Sequence, residues 1–261
     1  MNRVMSVAGS FYPSLCEDVE GYFDRFNQIL SENDVFIKED VKAIIVPHAG
    51  YVYSGFTANV AYQAVKNYPK RVVVLGPSHR VYFEGVSVAL YSEYETPCGA
   101  IMIDKEFSKK LVDEYPFANF FEKAHHEHST ETQMPFVKRY FPDAEVVEIV
   151  YGKVDFGLVS VMIEEILSDK HTLLVISTDL SHFYSLEDAK KLDNICLNAI
   201  VQKDLSMFDR GCEACGLVGV KALIKVAQKE NLSVKFLDYR TSFDVTKDSQ
   251  SVVGYTSFLV S

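Results

Sequence analysis

Three short apolar runs in this chain each stop at a polar turn that carries a histidine. Ala43-Ile44-Ile45-Val46 leads to Pro47-His48, Arg71-Val72-Val73-Val74-Leu75 to Gly76-Pro77-Ser78-His79, and Leu173-Leu174-Val175-Ile176 to Ser177-Thr178-Asp179-Leu180-Ser181-His182. Apolar runs of this length, rich in β-branched residues, read as strands buried on both faces. Helical patterns lie between and beyond them. Ser14 reads as the N-cap of a helix over Leu15 to Ser31, with Tyr22, Phe23, Phe26 and Ile29 as its apolar stripe. Gly55 to Lys66, Lys105 to Glu114, Gly157 to Ser168, 187–202 and 215–228 read the same way, and His128 to Phe141 keeps a helical period in spite of Pro135. Gly85 to Leu90, Val146 to Val150, Val234 to Asp238 and Val252 to Leu259 read as further strands. Strands and helices thus alternate at βα-unit spacing, which predicts one α/β domain over 1–261: a mostly parallel sheet covered by helices on both faces.

In such a sheet the C-terminal ends of the parallel strands share one edge, and ligands bind along it. His48, His79 and His182 are therefore expected to converge. Imidazole suits zinc, iron and copper, so two of these rings with one further donor would make a metal site. Asp179, three residues before His182, reads as a ligand, a proton shuttle or the N-cap of the following helix. His125-His126-Glu127-His128 is the densest histidine cluster, but it lacks the H-E-x-x-H spacing of zinc proteases. Adjacent side chains there point apart. His128 and Glu131, at i and i+3, share a helical face and read as groups around the site, as substrate contacts, or as a solvated helix start. Cys212-x-x-Cys215-Gly216 is open to three readings: a redox pair, half of a zinc site, or a lone thiolate completing the histidine site.

Bulk properties exclude several classes. The net charge of −10, with no long Lys/Arg run, argues against a nucleic-acid partner. No run reaches the length of a membrane span, and the N-terminal stretch lacks the apolar centre of a secretory signal. Five scattered cysteines (Cys16, Cys98, Cys196, Cys212, Cys215) read as reduced thiols rather than a disulfide framework, which predicts a cytoplasmic protein. No strand is followed by a P-loop or G-x-G-x-x-G, and neither Ser54 nor Ser78 lies in a G-x-S-x-G elbow, so nucleotide binding and serine hydrolysis are not indicated.

Read in order, AGSFYP, VPHAGYVYSG, LGPSH, EHSTETQMPF, STDLSHF and the late Cys215-Gly216 pair resemble the motifs of the MEMO family, whose prokaryotic members are called AmmeMemoRadiSam system protein B. That family is related to the class III extradiol dioxygenases, non-haem iron enzymes with an αβα sandwich. The resemblance implies His48, His79 and Cys215 as metal ligands, with Asp179 and His182 lining the pocket as acid/base groups. It implies iron(II) as the metal, with copper or zinc as alternatives. Where the dioxygenases use a carboxylate this chain has a thiol, so turnover does not follow from the fold. Three functions are compatible. One is a metal-dependent oxidoreductase acting on a small aromatic molecule. Another is a non-catalytic metal-binding or redox-responsive protein working through partners, as phosphopeptide binding in eukaryotic relatives suggests. The third is a zinc hydrolase or lyase. The family name alone adds AMMECR-type and radical-SAM proteins as expected partners.

Overall fold

The computed structural model describes residues 1–33 and 38–261. Eleven strands are defined among them. They are β1 (Ala43–Val46), β2 (Arg71–Pro77), β3 (Val86–Val88), β4 (Glu93–Tyr94), β5 (Ile101–Met102), β6 (Ala118–Asn119), β7 (Glu145–Tyr151), β8 (Thr172–Ser177), β9 (His182–Tyr184), β10 (Val234–Thr241) and β11 (Val252–Val260). The helices are α1 (Cys16–Glu32), α2 (Phe56–Ala64), α3 (Lys105–Glu114), α4 (His128–Glu131), α5 (Met134–Tyr140), α6 (Phe156–Ser168), α7 (Leu186–Gln202), α8 (Leu205–Phe208), α9 (Leu217–Lys229) and α10 (Phe243–Thr246). A π-helical turn, Tyr51–Gly55, leads into α2 where the pattern predicts a continuous helix from Gly55. The main sheet runs β10-β11-β1-β8-β2-β7-β3-β6, and β4 and β5 form a separate hairpin.

The four central strands, β1, β8, β2 and β7, are parallel as expected. β11 and β3 close this centre on either side as antiparallel neighbours. Alternate residues of the central strands feed two separate cores. Ile45, Val73, Leu75 and Ile176 pack with α6, α7 and α9, while Ile44, Val46, Val74 and Val175 pack with α1, α2 and α5. The result is a three-layer αβα sandwich, with β1 and β2 buried on both faces as their composition demands.

Three local expectations change. In α1 the buried stripe is Val19, Phe23, Phe26 and Leu30, Leu15 stands at the N-cap position, and no side chain caps the helix. The helix predicted over His128 to Phe141 is two helices, because the chain breaks at Thr132 and Gln133 and restarts with Pro135 in the first turn of α5, where a missing N–H is harmless. Four of the five cysteines are paired: Cys16 with Cys98 and Cys196 with Cys212, leaving Cys215 free. The partners stand 82 and 16 residues apart in sequence but 4.8 and 4.9 Å apart at Cα, a proximity that only the folded chain creates.

A buried ion pair ties the N-terminal segment to α4. Glu131 accepts from Arg3 Nη2 at 2.7 Å, from the backbone N–H of Ser6 and of Val7 at 2.8 Å each, and from the Tyr12 hydroxyl at 2.8 Å. Both ends of the pair are enclosed, so neutralising one leaves the other charged and dry. Glu131→Gln should therefore lower unfolding free energy by about 3–5 kcal/mol in urea titration, and a loss below about 1 kcal/mol would refute this role. Glu148 on β7 is buried too, with His125 Nδ1 at 2.9 Å and the Thr130 hydroxyl at 2.6 Å. Burial pushes its carboxyl up, but the His125 ring, followed by Arg3 and Thr130, outweighs burial and holds it below 4.5. A depressed carboxyl contributes stability above its unfolded pKa and loses it as pH falls through the folded value. Between about pH 5 and 3, the native protein should lose stability more steeply than Glu148→Gln; parallel curves would show that the carboxylate is not so held.

Candidate metal centre

Three strand ends and one loop build the site. β1 stops at Val46, and the backbone N–H of His48 donates to Asp179 Oδ1 at 2.8 Å, so the loop after β1 is tied to the loop after β8. Ser177, the last residue of β8, donates its single hydroxyl proton to Ser129 O at 2.5 Å and accepts from Gln133 Nε2 at 2.9 Å. Its remaining contact is His48 Nδ1 at 3.0 Å. With its proton already committed, the serine can only accept there, so Nδ1 carries the hydrogen and the Nε2 lone pair faces the site. This tautomer is assigned by the hydrogen-bond network.

His48 Nε2 lies 3.2 Å from His79 Nε2 and 3.3 Å from Cys215 Sγ. The donor atoms of all three residues fall within 4.8 Å of one another. Two imidazole nitrogens on one tetrahedral ion stand about 3.3 Å apart, and a nitrogen and a thiolate sulfur about 3.6 Å apart. The donor set fits a single ion bound by two nitrogens and one sulfur. Burial, and then the neighbouring His79 and His128 rings, push His48 well below the ordinary histidine value. Burial and His128 likewise lower His79. Both rings are neutral, the form that ligates. Burial, with Asp179 adding to it, pushes the Cys215 thiol up; a divalent cation among these donors would reverse that balance and favour the thiolate.

The surroundings explain the local sequence. Glu127 accepts from the backbone N–H groups of His79 at 2.6 Å and Arg80 at 3.1 Å, and pairs with His128 Nδ1 at 2.8 Å. Burial works against its ionisation, but these hydrogen bonds and the His128 ring hold its carboxyl down to about 2. His128 stacks on His79 at 4.9 Å and packs at a tilt against Phe11 at 4.6 Å. A Cβ on Gly76 would meet Ser129 Oγ at 2.8 Å, so a side chain there would drive α4 off β2. Gly216 lies against Thr178 and the Ser177 carbonyl so closely that any Cβ would overlap them. The glycine after Cys215 is what lets the thiol reach the end of β8, where it accepts from the Asp179 N–H at 3.2 Å.

Of the residues singled out from sequence, His48, His79, Cys215 and Asp179 come together, with His128 packed against the two rings. Asp179 is not a helix cap, since Ser185 caps α7. Its carboxyl is enclosed and burial raises it against the pull of the His48 N–H. His182, on β9 beside Val253, stands outside the three-donor set but is near enough for its charge to bear on His48 and His79. Glu131 turns away to Arg3, and His125 is spent between Glu148 and Ser87. Cys212 is bonded to Cys196, so Cys212-x-x-Cys215 is neither a dithiol pair nor half of a zinc site. The roles of Ser177 and Glu127 were missed, although both stand in stretches that the sequence singles out, and Asp193, which holds the next turn, carries no mark in the sequence. A serine and two acids on unrelated elements reveal no role until the fold places them. A surface cleft bounded by Glu84, Phe117, Lys153 and Leu158 is elsewhere; another, of about 250 Å³, runs along Phe11, Gly50 and Tyr53.

The turn carrying Asp179 and His182 is pinned to β11. Leu180 N–H donates to Gly254 O at 2.8 Å, Gly254 N–H donates to Ser181 O at 3.0 Å, and Asp193 accepts from Ser181 N–H at 2.9 Å and the Tyr239 hydroxyl at 2.7 Å. Any Cβ on Gly254 would overlap the Asp193 carboxylate. Gly254→Ala should cost about 1–3 kcal/mol in denaturant unfolding, and a neutral substitution would mean that the turn is not held against this position.

The family model described as Memo-like protein matches residues 3–259. Among curated proteins, a MEMO1 family protein of Aquifex aeolicus is 34% identical over 271 residues, covering 98% of each chain. Those of Nitrosopumilus maritimus and Methanobrevibacter smithii are 31% and 32% identical, and each alignment covers 98% of this chain and 98% or more of the relative.

Proposed function

The chain belongs to the Memo family, and from that premise we propose that it holds one metal ion between His48, His79 and Cys215 and acts as a metal-dependent oxidoreductase on a small aromatic molecule. The observation that carries this reading is the approach of His79 Nε2 and Cys215 Sγ to 3.2 and 3.3 Å from a His48 nitrogen whose lone pair the Ser177 network leaves free. Iron(II) is the metal we assign, with copper or zinc as alternatives that a nitrogen–sulfur donor set also accepts. When bound, the ion supplies a Lewis acid and, for iron or copper, a one-electron redox centre. The chain's own residues do the rest. Ser177, Glu127 and the Asp179 carboxylate orient the two histidines, and the buried floor around them excludes water. His182 would accept or deliver a proton, with Asp179, which is bonded to the His48 backbone and feels the charge of His182, biasing that ring.

One observation favours a second reading, a metal-binding protein that works through partners. Phe183, next to His182, is 75% exposed with φ +66°, and Tyr82, three residues after His79, is 77% exposed. Aromatic rings held out to solvent, one of them on a strained backbone, suit contact with another molecule.

Anaerobic purification with elemental analysis tests the proposal. The native protein should carry a stoichiometric ion, and His48→Ala, His79→Ala and Cys215→Ser should each weaken metal affinity by at least about tenfold. Full metal content in any of the three would remove that residue from the ligand set. Oxygen uptake with a panel of catechols separates the two readings: uptake that vanishes in His79→Ala supports turnover, and a loaded protein without uptake favours the partner-binding role.

A further inference from the structure

Interior tyrosines normally find a hydrogen-bond partner for the hydroxyl, because an unpaired buried phenol is costly. Several phenols near the site obey this. Tyr12 donates to Glu131, Tyr51 to Thr132 O, Tyr62 to Gln133 and Tyr239 to Asp193. Tyr255 on β11 does not. It is 2% exposed, and its hydroxyl has no protein partner among the described residues. Nor is it sealed in, as the unpartnered Tyr151 hydroxyl is. The Tyr255 hydroxyl therefore opens onto accessible space from within a buried side chain.

The sheet register says where. β1 and β11 pair antiparallel, with Ala43 opposite Val260, Ile44 opposite Leu259 and Ile45 opposite Phe258. The same register carried beyond β1 puts Tyr255 level with His48. β10 occupies the far edge of β11 here, and on the edge that β11 shares with β1, Gly254 is bonded in both directions to the turn that holds Asp179 and His182. The Asp179 carboxylate and the Tyr53 phenol both act on Tyr255, adding to burial in raising its pKa, which keeps the phenol a neutral donor.

We propose that Tyr255 belongs to the site and that its phenol donates a hydrogen bond to an anionic oxygen of the small molecule bound beside His48 and Asp179. This rests on the metal reading above and adds the ligand class, a phenolate or similar oxyanion, and the group that recognises it. No residue spacing marks Tyr255, which lies within an ordinary β-strand.

The test is Tyr255→Phe in the iron(II)-loaded protein, titrated anaerobically with 4-nitrocatechol by absorbance, with metal content and thermal midpoint measured on the same samples. Loss of one hydrogen bond to a charged oxygen should weaken the probe about ten- to a hundredfold, with metal content and midpoint unchanged. Native probe affinity at full metal loading would overturn the role of Tyr255 alone. A midpoint several degrees lower would mean that the hydroxyl has a protein partner, and the proposal would fall. Absence of metal from the native protein, or equal probe binding by His48→Ala, would overturn the triad reading and the Tyr255 role with it.

Discussion

A single serine hydroxyl decides what the centre of this molecule presents. Ser177 has one proton and two lone pairs, and the Ser129 carbonyl, the Gln133 amide and the His48 ring use all three. Because the proton goes to Ser129, His48 must donate, and its other nitrogen is left as an acceptor toward His79 and Cys215. The same hydroxyl also joins β8 to α4 and to the start of α5. Position and chemistry are thus set by one group: moving α4 would release the proton that fixes the tautomer. Gly76 and Gly216 make the arrangement possible, since each allows a backbone approach that any side chain would block.

Around that hydroxyl the chain buries three carboxylates from a short stretch of sequence, Glu127, Glu131 and Glu148, each fully enclosed. Buried charges are expensive, and a well-packed apolar replacement is often no less stable. What they contribute here is direction. Glu127 fixes the backbone at His79 and the ring of His128 together; Glu131 draws the N-terminal segment over α4, which puts Phe11 against His128; Glu148 holds His125 out of the site. A histidine-rich segment is thereby sorted so that one ring packs on His79, one is structural and one is exposed.

How much of this could be read before folding follows from the range of each interaction. The parallel centre was legible because β1, β2 and β8 are buried on both faces, and burial writes itself as continuous apolar sequence. The convergence of His48 and His79 followed from topology alone. The antiparallel placement of β11 and β3 was not legible, since a strand's direction leaves no mark on its composition. The cysteine pairs and the Arg3–Glu131 pair were missed for the same reason, being contacts between segments 16 to 128 residues apart. His128 and Glu131 show the limit of helical periodicity: they lie on one short helix, yet one packs on His48 and His79 and the other on the N-terminal segment, because what each meets is decided by other elements.

The free thiol of Cys215, and not a carboxylate, is the third group that stands beside the two histidines. A carboxylate is nearby, but Asp179 is already occupied. One of its oxygens accepts the His48 N–H at 2.8 Å, and the other stands 3.9 Å from His48 Nε2. Its backbone N–H meanwhile donates to Cys215 Sγ. One residue therefore fixes the first histidine through its side chain and the sulfur through its main chain, so both move together with the turn that β11 pins. Hydrogen bonding to a ligating thiolate withdraws electron density from it and tempers its softness. The side chain and the main chain of Asp179 thus hold the His48 loop and the Cys215 sulfur in one arrangement.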